Sequence, residues 1–153
     1  QVAIEALDFV NSEMGREAVE RFARTRAQEL KEKLEARVEE GGSVSTRSRA
    51  LAAALDKEGY AASATPVAVG TPLEAMQLCQ GHCPIQHVAE EYPEFCEAEL
   101  EQFGEILGVD VRRLSTLASG AHVCTTHIPT STLNRPLLGS QDGKSNPKKG
   151  GER

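Results

Sequence analysis

The chain has 153 residues, a length that suits one domain or a domain plus an extension, and it carries a formal net charge of −6. That excess of acid excludes a broad electrostatic grip on nucleic acid by this piece, and no apolar stretch approaches a membrane span. A chain this long buries a core without staples, so its four cysteines are not required for stability.

The first residues, "QVAIEALDFVNSEMG", lack the basic-then-apolar pattern of a signal peptide, so the expectation is a cytoplasmic protein with no membrane partner. In a reducing compartment cysteines serve metals or redox chemistry more often than bridges. The start at Gln1 rather than Met is read as a piece of a longer chain. From about Gly15 to Glu40 the periodicity predicts one long helix. Val19, Phe22, Ala23, Ala27, Leu30, Leu34 and Val38 recur at spacings of three and four, and Gly41 and Gly42 stop it. An apolar stripe of that length needs cover along all of it, which predicts a homodimer through this helix; the alternative is a helix lying along its own domain.

A short helix follows, with Ser45 or Thr46 as its N-cap and Gly59 near its end. Tyr60 to Val69 reads as a strand broken early by Pro66, and "EAMQLCQ" as a second strand. Helices then start at Pro84 and Pro93, the second ending at Gly108. "VRRLSTLASGAHVCTTHIPT" predicts a β-hairpin with Ser119-Gly120 as its turn. The fold expected is therefore α+β: a long N-terminal dimerisation helix within residues 1–44, then a small antiparallel sheet packed with short helices over 45–133. Residues 134–153, rich in Pro, Gly, Ser and basic side chains, are expected to be disordered.

"LCQGHCPIQHVAEEYPEFC" holds three of the four cysteines, and the fourth lies in "HVCTTHIP". Cys83 precedes Pro84 at a helix start, where N–H groups and the dipole favour a thiolate. Cys96 shares a helical face with Leu100, Phe103 and Leu107 and is expected to point inward. Strand alternation puts Cys124 on one face with His122, Thr126 and Ile128. Three inward thiols from two helix starts and a strand are as compatible with a metal centre as with plain core filling. Wide spacing leans towards an iron–sulfur cluster, whereas Cys79 and Cys83 with His82 and His87 would make a zinc knuckle.

The stretch "CPIQHVAEEYPEFCEAELEQFGEILGVDVRRLSTLASGAHVCTTHIP" resembles the C-terminal half of SufR-type iron–sulfur-cluster-sensing transcriptional repressors. Cys83-Pro84-Ile85, twelve residues to Cys96 within "PEFCEAE", and twenty-seven more to Cys124 after a glycine turn carry the likeness. It covers about residues 45 to 130, while the long helix matches only in kind. The resemblance implies a homodimeric repressor of iron–sulfur cluster assembly genes, whose C-terminal sensor domain holds a [4Fe–4S] cluster through Cys83, Cys96 and Cys124. Operator DNA would be bound by an N-terminal winged helix-turn-helix, which does not precede Gln1 here, so this piece alone is expected not to bind DNA.

The fourth ligand is left open among Cys79, His87, His122 and His127. His127 is expected on the strand face opposite Cys124, His122 on the same face, and His87 one helical turn after Cys83. Two other readings compete. One is a zinc-stabilised structural or ligand-binding domain. The other is a cysteine-nucleophile enzyme using Cys83 with His82 or His87; no oxyanion device or substrate pocket accompanies it, so a non-enzyme is expected. The carboxylates Glu97, Glu99 and Glu101 point in different directions around their helix and are read as a solvated face.

Overall fold

The computed structural model describes residues 1–131. The expected disordered tail, 134–153, lies outside them. Helix α1, Val2–Met14, was not anticipated as an element. Gly15, at φ 83°, then turns the chain into α2, Arg16–Glu35. A side chain with a Cβ is strained at that angle, so the residue between the two helices is glycine. The single long helix expected from Gly15 to Glu40 is thus only partly present. It stops five residues early because its last turn tightens: Arg37 N–H bonds to Leu34 O and Val38 N–H to Glu35 O, at 3.0 and 3.1 Å. The tight turn tucks Val38 into the core.

Ser43 opens α3, Val44–Lys57, its side chain accepting from Thr46 N–H at 3.1 Å. Strands β1 (Ala62–Val67) and β2 (Ala75–Gln80) follow, then α4 (Gln86–Glu91) and α5 (Glu94–Leu107). Gly108 ends α5 in the left-handed conformation. Arg47 reaches across from α3 to donate to the carbonyls of Ile106 and Leu107, meeting the negative end of that helix with a cation. Strand β3 (Arg112–Ser115), a short 3₁₀ turn over Leu117–Ser119 and strand β4 (Cys124–Pro129) complete the described chain.

The sheet is antiparallel with strand order β1-β2-β4-β3. The α+β architecture expected, a small antiparallel sheet packed with helices, is the one present. Register divides the strands cleanly. Met76, Leu78 and Gln80 of β2 pair with Ile128, Thr126 and Cys124 of β4, and all six are buried. Ser63, Cys79 and Thr125 share the other face, with Thr65, Gln77, His127 and Arg112 beside them. A register shift between Arg113 and Ser115 turns Leu114 outward. Helices cover the inner face only: α3 lies on β1 and β2, and α5 packs among α2, α3 and α4.

This packing changes the meaning of the α2 stripe. Val19 and Leu34 are 0 % exposed, and Ala23, Ala27 and Val38 are also buried, all in a core that continues through Phe103 and Ile106 of α5 to Ile128. Phe22 is 53 % exposed and Leu30 half-buried, but the rest of the stripe is covered by its own chain, so it argues less for a second copy along α2. Leu34→Ala should therefore lower the unfolding free energy by about 2–5 kcal/mol in a denaturant titration, with the sedimentation mass unchanged. Altered mass with stability intact would return the stripe to an intermolecular role.

Candidate metal centre

Cys83 sits in the loop between β2 and α4. Backbone bonds from Gly81 N–H to Ala61 O (3.1 Å) and from His82 N–H to Tyr60 O (3.2 Å) pin that loop to the start of β1. Cys96 occupies the third position of α5, and Cys124 opens β4 on the inner face, across from Gln80. All four cysteines are free thiols; Cys83 and Cys124 are buried and Cys96 is half-buried. The three elements bring these sulfurs close enough that a charge on Cys96 or Cys124 opposes one on Cys83, and a charge on Cys124 opposes one on Cys96.

Burial pushes the Cys83 thiol from 9.0 up to about 11, against a lowering pull from the Ile85 N–H. Cys83 lies three residues before the first residue of α4 and does not gain the thiolate-favouring position expected for a helix start; desolvation wins. Burial also raises Cys96, opposed first by the Arg113 guanidinium. Leu117 N–H donates to Cys124 Sγ at 3.0 Å. Backbone N–H groups thus face two of the three sulfurs, the environment that stabilises a thiolate once its proton leaves.

Arg113 is held in place by Gln80 Oε1 at 2.7 Å and Thr126 Oγ1 at 3.0 Å, with its guanidinium 5.6 Å from the centre of the Phe103 ring. Its Nε is buried without a partner among the described residues. Together with Cys96, Pro93, Thr116 and Ser119 it lines a cleft of about 400 Å³. Arg113 and the half-buried thiol Cys96 thus share one cleft.

The residues weighed as fourth ligands are dispersed. Cys79 and His127 point to the sheet face away from Cys124, as the β2–β4 register requires. His122 precedes β4 and is exposed. The His87 side chain is 86 % exposed and lies 3.7 Å from Glu90. What the helical-face reading missed is Glu99. Glu97 and Glu101 are exposed, but Glu99 is only 3 % exposed and stands one turn after Cys96 on the same side of α5. Tyr60 Oη donates to Glu99 Oε1 at 2.8 Å and Arg26 Nη1 donates to the same atom at 3.1 Å. Burial raises the carboxyl above its ordinary range despite these partners, and its charge in turn raises both Cys83 and Cys96. A helical wheel of α5 would have flagged it: Phe95, Cys96, Glu99, Phe103 and Ile106 form one inward band.

Among the described residues no three His, Cys, Asp or Glu side chains are arranged to hold a single metal ion. Four thiolates around one zinc would stand about 3.8 Å apart, from Zn–S bonds of about 2.3 Å. No family model, no curated protein and no solved structure matches this chain.

The raised thiol has a consequence for the metal-free protein. Between pH 9 and about 11 the unfolded chain releases a proton that folded Cys83 keeps, so stability is full below that window and falls as pH rises through it. Tyr60, also raised by burial, acts in the same direction. Denaturant midpoints from pH 8 to 11 should therefore converge for wild type and Cys83→Ser, wild type losing on the order of 1–2 kcal/mol relative to the variant. Parallel curves would show that Cys83 titrates normally.

Proposed function

We propose that this chain is the iron–sulfur-binding sensor part of a dimeric, DNA-binding repressor of the SufR type, with its cluster held by Cys83, Cys96 and Cys124. One observation supports the reading: three thiols, from a loop, a helix start and a strand start, are buried or half-buried, and charge on Cys96 or Cys124 opposes charge on Cys83. The donor set fits. Soft thiolates suit iron–sulfur groups, Ile85 and Leu117 N–H face two of the sulfurs, and the Arg113 guanidinium charge favours a thiolate at the third, Cys96. When bound, a cluster supplies a redox- and iron-responsive cross-link among these elements. The chain's own part is to release the thiol protons on loading, since burial holds at least Cys83 and Cys96 protonated near neutral pH.

The acidic balance of −6 supports DNA contact by another part of the protein rather than by this one. A second copy would cover α1, which leaves Val2, Phe9 and Met14 exposed, rather than the occupied stripe of α2. Zinc is the weaker reading, because the described side chains make no compact single-ion group.

Anaerobic purification or reconstitution should give a brown protein with visible absorbance and matched iron and sulfide. Cys83→Ser, Cys96→Ser and Cys124→Ser should each abolish that absorbance, while Cys79→Ser keeps it. Colourless protein with stoichiometric zinc would favour the alternative, and wild-type iron and sulfide in Cys83→Ser would refute the site.

A further inference from the structure

Among the described residues Glu99 is the one buried carboxylate whose charge acts on Cys83 and Cys96, and its position is built from both sides. It follows Cys96 by one turn of α5, so the two side chains leave the helix in the same direction. Tyr60 reaches it from the opposite wall; the backbone of Tyr60 is bonded to His82, the residue before Cys83. The carboxylate is thereby fixed between the turn that presents Cys96 and the loop that presents Cys83. Both of its hydrogen bonds end on Oε1, so Oε2 is used by neither.

We infer that Glu99 is the fourth protein ligand of the group held by Cys83, Cys96 and Cys124, binding through Oε2 while Tyr60 and Arg26 hold Oε1. This rests on the cluster reading above. The alternatives by ligand type are directed elsewhere: Cys79 and His127 lie on the outer face of the sheet, and His87 and His122 face solvent. Arg26 and Arg113 offset the added negative charge from either side. A carboxylate is a harder ligand than a thiolate and suits iron less well than sulfur does. One iron of the cluster would then be held less firmly than the other three, and would leave first under oxidant or chelator.

The test uses the 153-residue chain, reconstituted without oxygen, and three variants: Glu99→Gln, Glu99→Cys and Cys79→Ser. Iron and sulfide are counted, and the electron paramagnetic resonance spectrum of the reduced cluster is recorded before and after addition of a small thiol. With Glu99 as ligand, wild type and Cys79→Ser hold a full cluster whose spectrum changes little with the thiol. Glu99→Gln should be thiol-responsive, or lose about one iron in four to give a three-iron signal. Glu99→Cys restores the full count, becomes insensitive to the thiol and resists a chelator longer than wild type. Thiol response already present in wild type, or a Glu99→Gln spectrum and iron count indistinguishable from wild type, overturns the assignment. If Glu99→Gln does not fold, the comparison of wild type with Glu99→Cys decides, equal chelator resistance overturning it. Wild-type protein that binds no cluster at all defeats the functional reading, and this inference with it.

Discussion

The carboxylate of Glu99 is the constraint around which the helices are arranged. Moving an ionised carboxylate out of water costs several kcal/mol, and only partners of good geometry offset that. Here they come from two other elements: Arg26 of α2 and Tyr60 at the α3–β1 corner, both on one oxygen. The relation of α2 to α5 follows. Arg16–Glu94, Arg26–Glu99 and Lys31–Glu105 occur in the same order along both helices, so the two run in the same sense. The outer two pairs are more exposed and of the kind that contributes about 0–1 kcal/mol. Only the middle one would leave a buried charge uncompensated if broken, so it determines how far α2 can slide along α5.

A second constraint acts through parity. Strand side chains alternate, and pairing of Gln80 with Cys124 sends Leu78, Thr126, Met76 and Ile128 to the same covered face. One step along either strand reverses the outcome, which is why Cys79 and His127 are separated from Cys124 although both are close in sequence to a ligand candidate. Arg113, immediately before Leu114 in β3, falls on the covered face and meets Gln80 and Thr126 there. The sheet thus delivers a cation and a thiol to the same wall, and α5 delivers Cys96 and Glu99 to it.

Much of this was legible before any coordinates. Proline at the start of α5, glycine at 108 and the alternation around Met76 and Cys124 are local signals that survive folding, whereas α4 starts at Gln86, two residues after the expected Pro84. What failed was every inference that needed a neighbour. The stripe of Val19 to Val38 is a true buried face, but sequence cannot say whether its cover is α5 or another chain. Thiol acidity at Cys83 was argued from a helix dipole that acts within one turn, whereas burial acts on the whole side chain and prevails. Glu99 was lost among Glu97 and Glu101 because charge suggests solvent, and its exception depends on Tyr60 and Arg26, 39 and 73 residues away. Helix α1 was passed over because its first residues were weighed only as a leader.

The buried thiols also bear on what any bound group can contribute. Cys83 and Cys124 belong to the same core cluster as Leu51, Phe103 and Ile128, and Cys124 already accepts an N–H bond. The described elements are therefore packed through apolar contacts with the sulfurs as members. A change of charge at the sulfurs is felt within that core. The first neighbour it meets is Glu99, whose partner Arg26 also borders the apolar groove between α1, α2 and α4 lined by Leu7, Val10, Phe22 and Ile85. The Arg26–Glu99 ion pair is thus one link between the sulfurs and the N-terminal helices, beside the Phe22–Phe95 ring contact and the Arg16–Glu94 pair.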